Sequence, residues 1–376
     1  MAKDINKDKF PEETKLKLEI FSECFREWFP VFIHGKYYEK VFIYDFFAGS
    51  GKDPEGSLGS PLILLKEAKG EDCKCCSQVR NNGKPISFIF NEKEKRKQKE
   101  LEENVTEFMN RCLFQNCKQS QCVYDFKNFS QMEFKDIFQD TTIQKILMNK
   151  SYGKFVLLDQ YGFSQIDEDI FKQLVNAPTT DFIFFISSSE IRRFKAQPAV
   201  KQYFDTEKIH FDETKPNECH RIIAQYYRAI IPKGKEYYLH HFTIQKGTNY
   251  RGLIFGTNHT LGMEKFLKVC WNKDEQAGES NCNIYNDDQE GSLFYVKGET
   301  VKKTKIEIEI RSRILSGEIS NNIAGFRYAL EKGCLPALFT SVVKKLEAEK
   351  KVTRTGDLNY KSTSIHKVKR YEINVT

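Results

Sequence analysis

Five short apolar runs, separated by helix-like stretches, limit the fold of this chain more than any other feature of the sequence. They lie at 41–44, 86–90, near 125–129, at 155–158 and at 181–186. Strands that are apolar throughout, without polar alternation, are buried on both faces. Alternating with helices, such strands build a parallel sheet covered on two sides. Helical spacing of apolar residues over 12–28 (Leu16, Leu18, Ile20, Phe21, Phe25 and Trp28), 62–69, 93–110, 132–149, 167–176 and 217–231 supplies the covering helices. Segments 236–245 and 250–257 are joined by a short connection holding Gly247 and Asn249, which demands antiparallel pairing. The expected fold class is α/β: a Rossmann-like, mostly parallel sheet ending in an antiparallel hairpin.

The last 76 residues differ in kind. Helical patterns at 304–315, 319–331 and 336–350 precede alternating segments at 352–356 and 364–375, an order expected of a winged helix-turn-helix. The expected organisation is a Rossmann-like domain over 1–272 with a Cys-containing insertion at about 70–85, a loop or linker over 273–300, and a winged helix over 301–376. The formal charge is +7, and residues 301–376 carry 16 Lys/Arg against 8 Asp/Glu, so the whole basic excess sits there. A basic terminal module on a neutral body suggests a polyanion such as nucleic acid; the plainer alternative is a solvated surface. No apolar run reaches the length of a membrane span, and the first 20 residues lack the apolar core of a signal peptide. The expected location is cytoplasmic, where the eleven Cys stay reduced.

The first strand ends in Asp45-Phe46-Phe47-Ala48-Gly49-Ser50-Gly51. Small residues there let the backbone approach a ligand. A phosphate-cradling loop fails, because Phe46 stands where its first Gly belongs and Lys52 is followed by Asp53. A dinucleotide fingerprint is weak, because Pro54 occupies the third glycine position. The pattern suits S-adenosylmethionine: Asp45 for its ammonium, Phe47, Ala48, Gly49 and Gly51 around its carboxylate and ribose, and Glu92 at the next strand end for the ribose hydroxyls. A tight turn without a ligand is the alternative.

Tyr44-Asp45-Phe46-Phe47-Ala48-Gly49-Ser50-Gly51, Gly59-Ser60-Pro61-Leu62, Leu158-Asp159-Gln160-Tyr161-Gly162 and Thr257-x-His259…Gly262-Met263 together resemble the three-Cys-motif partner protein family, in the same order along the chain. That family is similar to class I S-adenosylmethionine-dependent methyltransferases and has a terminal winged helix. The resemblance implies a partner, a radical-enzyme-like protein with three Cys. Asp159 and Tyr161 stand where methyltransferases acting on adenine amines carry D/N-P-P-Y/F, a carboxylate or amide for the exocyclic amine and a ring that stacks on a flipped or single-stranded base. Gln160 and the closer spacing depart from that motif. The expected catalytic residues are Asp159 and Tyr161; the alternatives are a related pocket with another substrate, a non-catalytic partner protein that binds a nucleotide, and a structural turn.

Arg192 and Arg193, after the fifth strand, are candidates for substrate phosphates, or else exposed residues of a capped helix. In the terminal module Lys344, Lys345, Arg354, Lys367, Lys369 and Arg370 are candidates for tracking a nucleic-acid backbone, with protein docking as the alternative. Cys73 and Cys76 form one C-x₂-C pair that Cys112 and Cys117 could complete as a zinc site, a weak candidate against unliganded thiols. His240 and His241, on opposite strand faces, are expected to be one packed and one exposed.

Overall fold

A computed structural model describes residues 9–111, 122–288, 292, 296, 299–356, 365 and 369–376. Its first helix, α1 (Glu12–His34), leads into β1 (Lys40–Asp45) and α2 (Ser60–Lys69). There follow α3 (Lys74–Asn82), β2 (Ile86–Asn91), α4 (Lys95–Asn110), β3 (Tyr124–Ser130), α5 (Phe134–Phe138) and α6 (Thr141–Leu147). Then come β4 (Tyr152–Leu158), α7 (Glu168–Asn176), β5 (Thr180–Ile186), α8 (Ser188–Phe194), α9 (Pro198–Lys201) and α10 (Cys219–Ala229). The hairpin β6 (Tyr238–Lys246) and β7 (Asn249–Thr257) precedes α11 (Thr260–Lys273). The chain ends with α12 (Val301–Leu315), α13 (Asn322–Glu331), α14 (Ala337–Ala348) and the antiparallel pair β8 (Val352–Arg354) and β9 (Ile373–Val375). No helix among the described residues is long and apolar enough to cross a membrane.

The sheet order is β3-β2-β1-β4-β5-β7-β6. Strands β1 to β5 run parallel and β7 runs antiparallel to both neighbours, so the expected Rossmann-like sheet with a terminal hairpin is what forms. Alternate strand residues enter two apolar layers. Ile43, Phe88, Phe155 and Leu157 pack with α1 to α4 and α11, and Tyr44, Val156, Phe182 and Phe184 pack with α5 to α10. Helix α1 is anchored deeply: Phe25, Trp28, Phe29 and Phe32 form an aromatic ladder, and the Trp28 indole donates to Asp181 at 2.9 Å. A Cβ at Gly153 on β4 would sit 2.3 Å from the Phe32 ring, so that glycine admits the helix.

Two local expectations gain detail and two are corrected. The insertion at 70–85 is a 3₁₀ turn followed by α3, because Cys76 and Val79 present a buried face at helical spacing and Gly83 caps it at φ +63°. The single helix over 132–149 is two, because the Asp140 carboxylate accepts from the Thr142 and Ile143 amides and starts α6 afresh. The first part of the segment over 273–300 is built into the fold: Thr243 of β6 pairs with Ser280, and Glu279 is buried. His240 and His241 are both buried, because α10 covers one face of β6 while Gly333, at the end of α13, lies against His240 on the other. The Arg221 and Lys302 cations flank Glu279 and hold its carboxyl down at about 2 in spite of its burial, tying the terminal helices to the sheet.

Candidate active site

The strand order reverses between β1 and β4, and a crevice at such a point is where open α/β sheets take ligands. Here a cavity of about 890 Å³ opens over the carboxyl ends of β1, β2, β4 and β6, with the start of α1 as its far wall. That is an ordinary size for a small-molecule site.

One half of the cavity is the turn after β1. Gly49 and Gly51 adopt φ +61° and +87°, the left-handed region that glycine tolerates. A Cβ on Gly51 would lie 3.3 Å from Leu101, and one on Gly59 would lie 3.0 Å from the Gly51 carbonyl oxygen, which accepts the Gly59 amide at 2.8 Å. Buried Asn91 braces the turn from β2: its side chain donates to the Phe46 carbonyl at 3.2 Å and its own carbonyl accepts the Ala48 amide at 3.0 Å. Asn104 of α4 donates to the Ser50 carbonyl at 2.7 Å. Glu92 stands at the end of β2 as expected, its carboxylate accepting the Gly49 amide at 3.1 Å and the Glu94 amide at 2.8 Å. Each carboxylate oxygen has a second lone pair, so hydroxyl donors from a ribose still find acceptors there.

Asp45 lies beneath this turn and is not in the cavity wall. It is fully buried, Oδ1 accepts the Phe47 amide at 3.2 Å, and Oδ2 has no hydrogen-bond partner. Burial pushes its carboxyl up to about 7; the nearby Ser60 hydroxyl eases this without reaching hydrogen-bond geometry, and the charges of Asp159 and Glu92 add to it. A carboxyl so placed favours a cation beside it. Phe47, Ala48, Gly49, Gly51 and Glu92 all line the cavity.

The other half is the end of β4. Asp159 and Tyr161 both line it, but Asp159 is not free: both of its oxygens accept from Lys17 of α1, at 2.7 and 2.6 Å, in a pair only 12% and 17% exposed. Lys17 also lies 4.8 Å from the Phe185 ring centre. Tyr161 is 61% exposed, with its ring at the rim. Gln160 is buried in the same wall. The wall of α1 is tied down at its start too, since Asp53 accepts the Phe10 amide at 3.0 Å and Glu13 pairs with Lys246.

Arg192 pairs with Glu213 at 2.7 Å and Arg193 donates to Asn249 at 2.7 Å; neither lines the cavity. In the terminal module Lys345 pairs with Glu307, Arg354 with Glu347 and Arg370 with Glu372, while Lys344 and Lys369 are exposed. Lys367, Cys112 and Cys117 lie outside the described residues. Cys73 and Cys76 are buried against α2, and among the described residues no group of three or more His, Cys, Asp or Glu could hold a metal ion. Sequence reasoning missed Lys17, Asn91, Asn104 and Asp53. Asn91, adjacent to Glu92 at a strand end, carried a readable signal; Lys17, an ordinary lysine on a helix, carried none.

No family model matches the chain, and no curated protein matches it. Among solved structures, an O-methyltransferase from Bacillus cereus in complex with SAH is similar at 10% identity and a TM-score of 0.31, covering 66% of this chain and 91% of that one. A methyltransferase from Escherichia coli is similar at 10% identity and a TM-score of 0.22, covering 61% of this chain and 84% of that one. At such scores the likeness says nothing of what this chain binds.

Proposed function

We propose that the chain is an S-adenosylmethionine-dependent methyltransferase whose donor subsite is the turn after β1. The observation that carries this is the placement of the Glu92 carboxylate 3.1 Å from the Gly49 amide, over a turn held open by two positive-φ glycines and above an unpartnered Asp45 oxygen. The donor set fits a nucleoside with two hydroxyls and a positively charged tail. The turn lacks the G-x-x-x-x-G-K-S/T pattern that cradles a polyphosphate. When bound, S-adenosylmethionine would supply an electrophilic methyl group. Glu92 would hold the ribose, the Asp45 charge would act on the positive tail from beneath the turn, and Phe46 and Phe47 would keep water from the transfer, which depends mainly on alignment. The acceptor would sit against Asp159, Gln160 and Tyr161.

A base amine at Asp159 would share its oxygens with Lys17, which already donates to both. Docking of nucleic acid through the terminal module draws on basic residues of which Lys345, Arg354 and Arg370 already have acidic partners. The radical-enzyme-like partner rests on the family resemblance alone. Calorimetric titration of the full chain with S-adenosylmethionine and with S-adenosylhomocysteine tests the donor subsite. Micromolar binding that is lost in Glu92→Ala is expected; absence of binding by both compounds sinks the reading.

A further inference from the structure

The terminal module meets the sheet at a buried, charged seam, and one titratable ring sits inside it. His240 of β6 is buried there. Its Nε2 lies 3.2 Å from the Gly278 carbonyl oxygen, which can only accept, so Nε2 carries the proton and Nδ1 is the bare nitrogen. Nδ1 faces the terminal module: it lies 3.0 Å from where a Cβ on Gly333 would be, and the Lys302 ammonium of α12 lies 3.1 Å from the same point. Lys302 donates to the Ala277 carbonyl at 2.7 Å and to Glu279 at 2.9 Å, and the Trp271 indole of α11 donates to the Gly333 carbonyl at 3.0 Å. The backbone of 279–281 closes the seam over β6: the Thr243 amide donates to the Glu279 carbonyl at 2.7 Å and the Asn281 amide to the Thr243 carbonyl at 3.1 Å.

The charges around this ring leave little room for another cation. Lys302 of α12 and Arg228 of α10 act on it as cations, and Glu279 is the carboxylate that answers them. Glu279 is already taken, through one oxygen by Arg221 and through the other by Lys302, and Glu331 at the end of α13 faces Arg228. Helix α11 offers the Phe266 ring and, with Cys334 of the module, a buried thiol at Cys270; burial pushes both thiols up and keeps them neutral. Lys303 lies over the Trp271 ring. On the other face of β6 stand two more buried rings, His241 and, from α10, His220. Burial, and next to it Lys302, push the His240 ring from 6.5 down to about 3, with Arg228 adding to this and Glu279 and the Gly278 carbonyl opposing it.

We propose that His240 is an acid-sensitive latch: a proton taken up at Nδ1 repels Lys302 and the end of α13, and the terminal module lets go of β6 while the parallel sheet stays folded. The helices α12, α13 and α14 pack on one another, with Phe326 and Phe339 meeting edge to face, so opening the seam need not break the module's own contacts. An opened seam lets His240 titrate at its ordinary 6.5, where the closed seam refuses the proton. The closed form therefore has its full advantage above 6.5 and loses up to about tenfold of it per pH unit below, until the pH nears 3. This holds whatever the crevice binds.

The test is hydrogen exchange of the full chain at pH 7.5 and pH 5.5, read as protection factors so that the intrinsic pH dependence of exchange drops out. The amides of Thr243, Asn281, Gly333 and Cys334, all hydrogen-bonded at the seam, are expected to lose about tenfold in protection at the lower pH, and those of β1 and β2 to change by less than about twofold. His240→Gln keeps a side-chain nitrogen that can donate to Gly278 but takes up no proton, and is expected to hold the same seam protection at both pH values. Titration of the wild-type His240 ring by NMR needs no variant and decides the matter should His240→Gln fail to fold; its midpoint is expected below about 5. Unchanged seam protection, an equal loss in β1 and β2, a His240→Gln protein that loses protection as wild type does, or a His240 midpoint at the ordinary value would each overturn the proposal.

Discussion

The two halves of the crevice are built differently. The turn after β1 is held by backbone amides and by residues a strand or a helix away: Asn91, Glu92 and Asn104. The end of β4 is closed against α1 by an ion pair between residues 142 positions apart, Lys17 and Asp159. A backbone-braced site is as rigid as the sheet it grows from. A site closed by a side-chain pair opens at the cost of that pair, because the first turn of α1 is tied down largely by polar contacts, whereas its later turns are locked by Phe25, Trp28, Phe29 and Phe32. The difference suggests a preformed donor half and an acceptor half that can be entered.

The largest expected effect belongs to Asp45. Its folded carboxyl titrates near 7, above its ordinary value of 3.8, so the folded state holds a proton that the unfolded state has released. Stability from this group is full below 3.8 and falls as pH rises to about 7, by about 4 kcal/mol in all. Asp45→Asn has no such slope. The stability difference between mutant and wild type, measured by urea unfolding, is therefore expected to shift in the mutant's favour by up to about 4 kcal/mol between pH 4 and pH 8. Because the ionised form is the one that attracts a cation across the turn, S-adenosylmethionine is expected to bind more tightly with rising pH, by up to about tenfold per unit, and to level off above 7. A flat profile would show that the Asp45 charge does not reach the ligand.

Gly51→Val comes next. Gly51 and Gly56 share φ +87°, but a Cβ at Gly51 meets Leu101 at 3.3 Å while one at Gly56 meets nothing. Valine at 51 is expected to cost about 2–4 kcal/mol and to abolish S-adenosylhomocysteine binding, while Gly56→Ala costs about 1 kcal/mol and leaves binding intact. Equal losses at the two positions would mean that backbone strain alone, and not the packing of the turn on α4, shapes the donor half. Glu92→Gln is milder: it keeps one acceptor oxygen and is expected to weaken the nucleoside by about tenfold in calorimetry.

The same division explains what could be read from the chain. Asp45, the glycines and Glu92 were legible because each stands at a strand end that its own apolar run announces. Helix α3 was not, because its buried face consists of Cys76 and Val79 alone, too little to outweigh the Gly and Asn around it. The burial of both His240 and His241 depends on a terminal module that packs on β6, a contact no local pattern contains. Gln160 was visible as a departure from a motif, but its unpartnered amide became visible only once the Gln165 backbone was in place.

The effect that bears most directly on the comparison is the coupling between Lys17 and Asp159. Both side chains are mostly buried, so neither the weak coupling of an exposed pair nor the large penalty of a sealed one applies, and about 1–2 kcal/mol is expected. A double-mutant cycle with Lys17→Met and Asp159→Asn measures it by urea unfolding, and each single variant is expected to lose more than the double. Hydrogen exchange in the Lys17→Met protein should then quicken at the amides of Thr14 and Lys15, which bond to the Pro11 carbonyl at the wall of the cavity, and stay unchanged at those of β1 and β2. If exchange quickens equally at both ends of the crevice, the two halves form one cooperative unit, and an acceptor half that opens by itself must be given up.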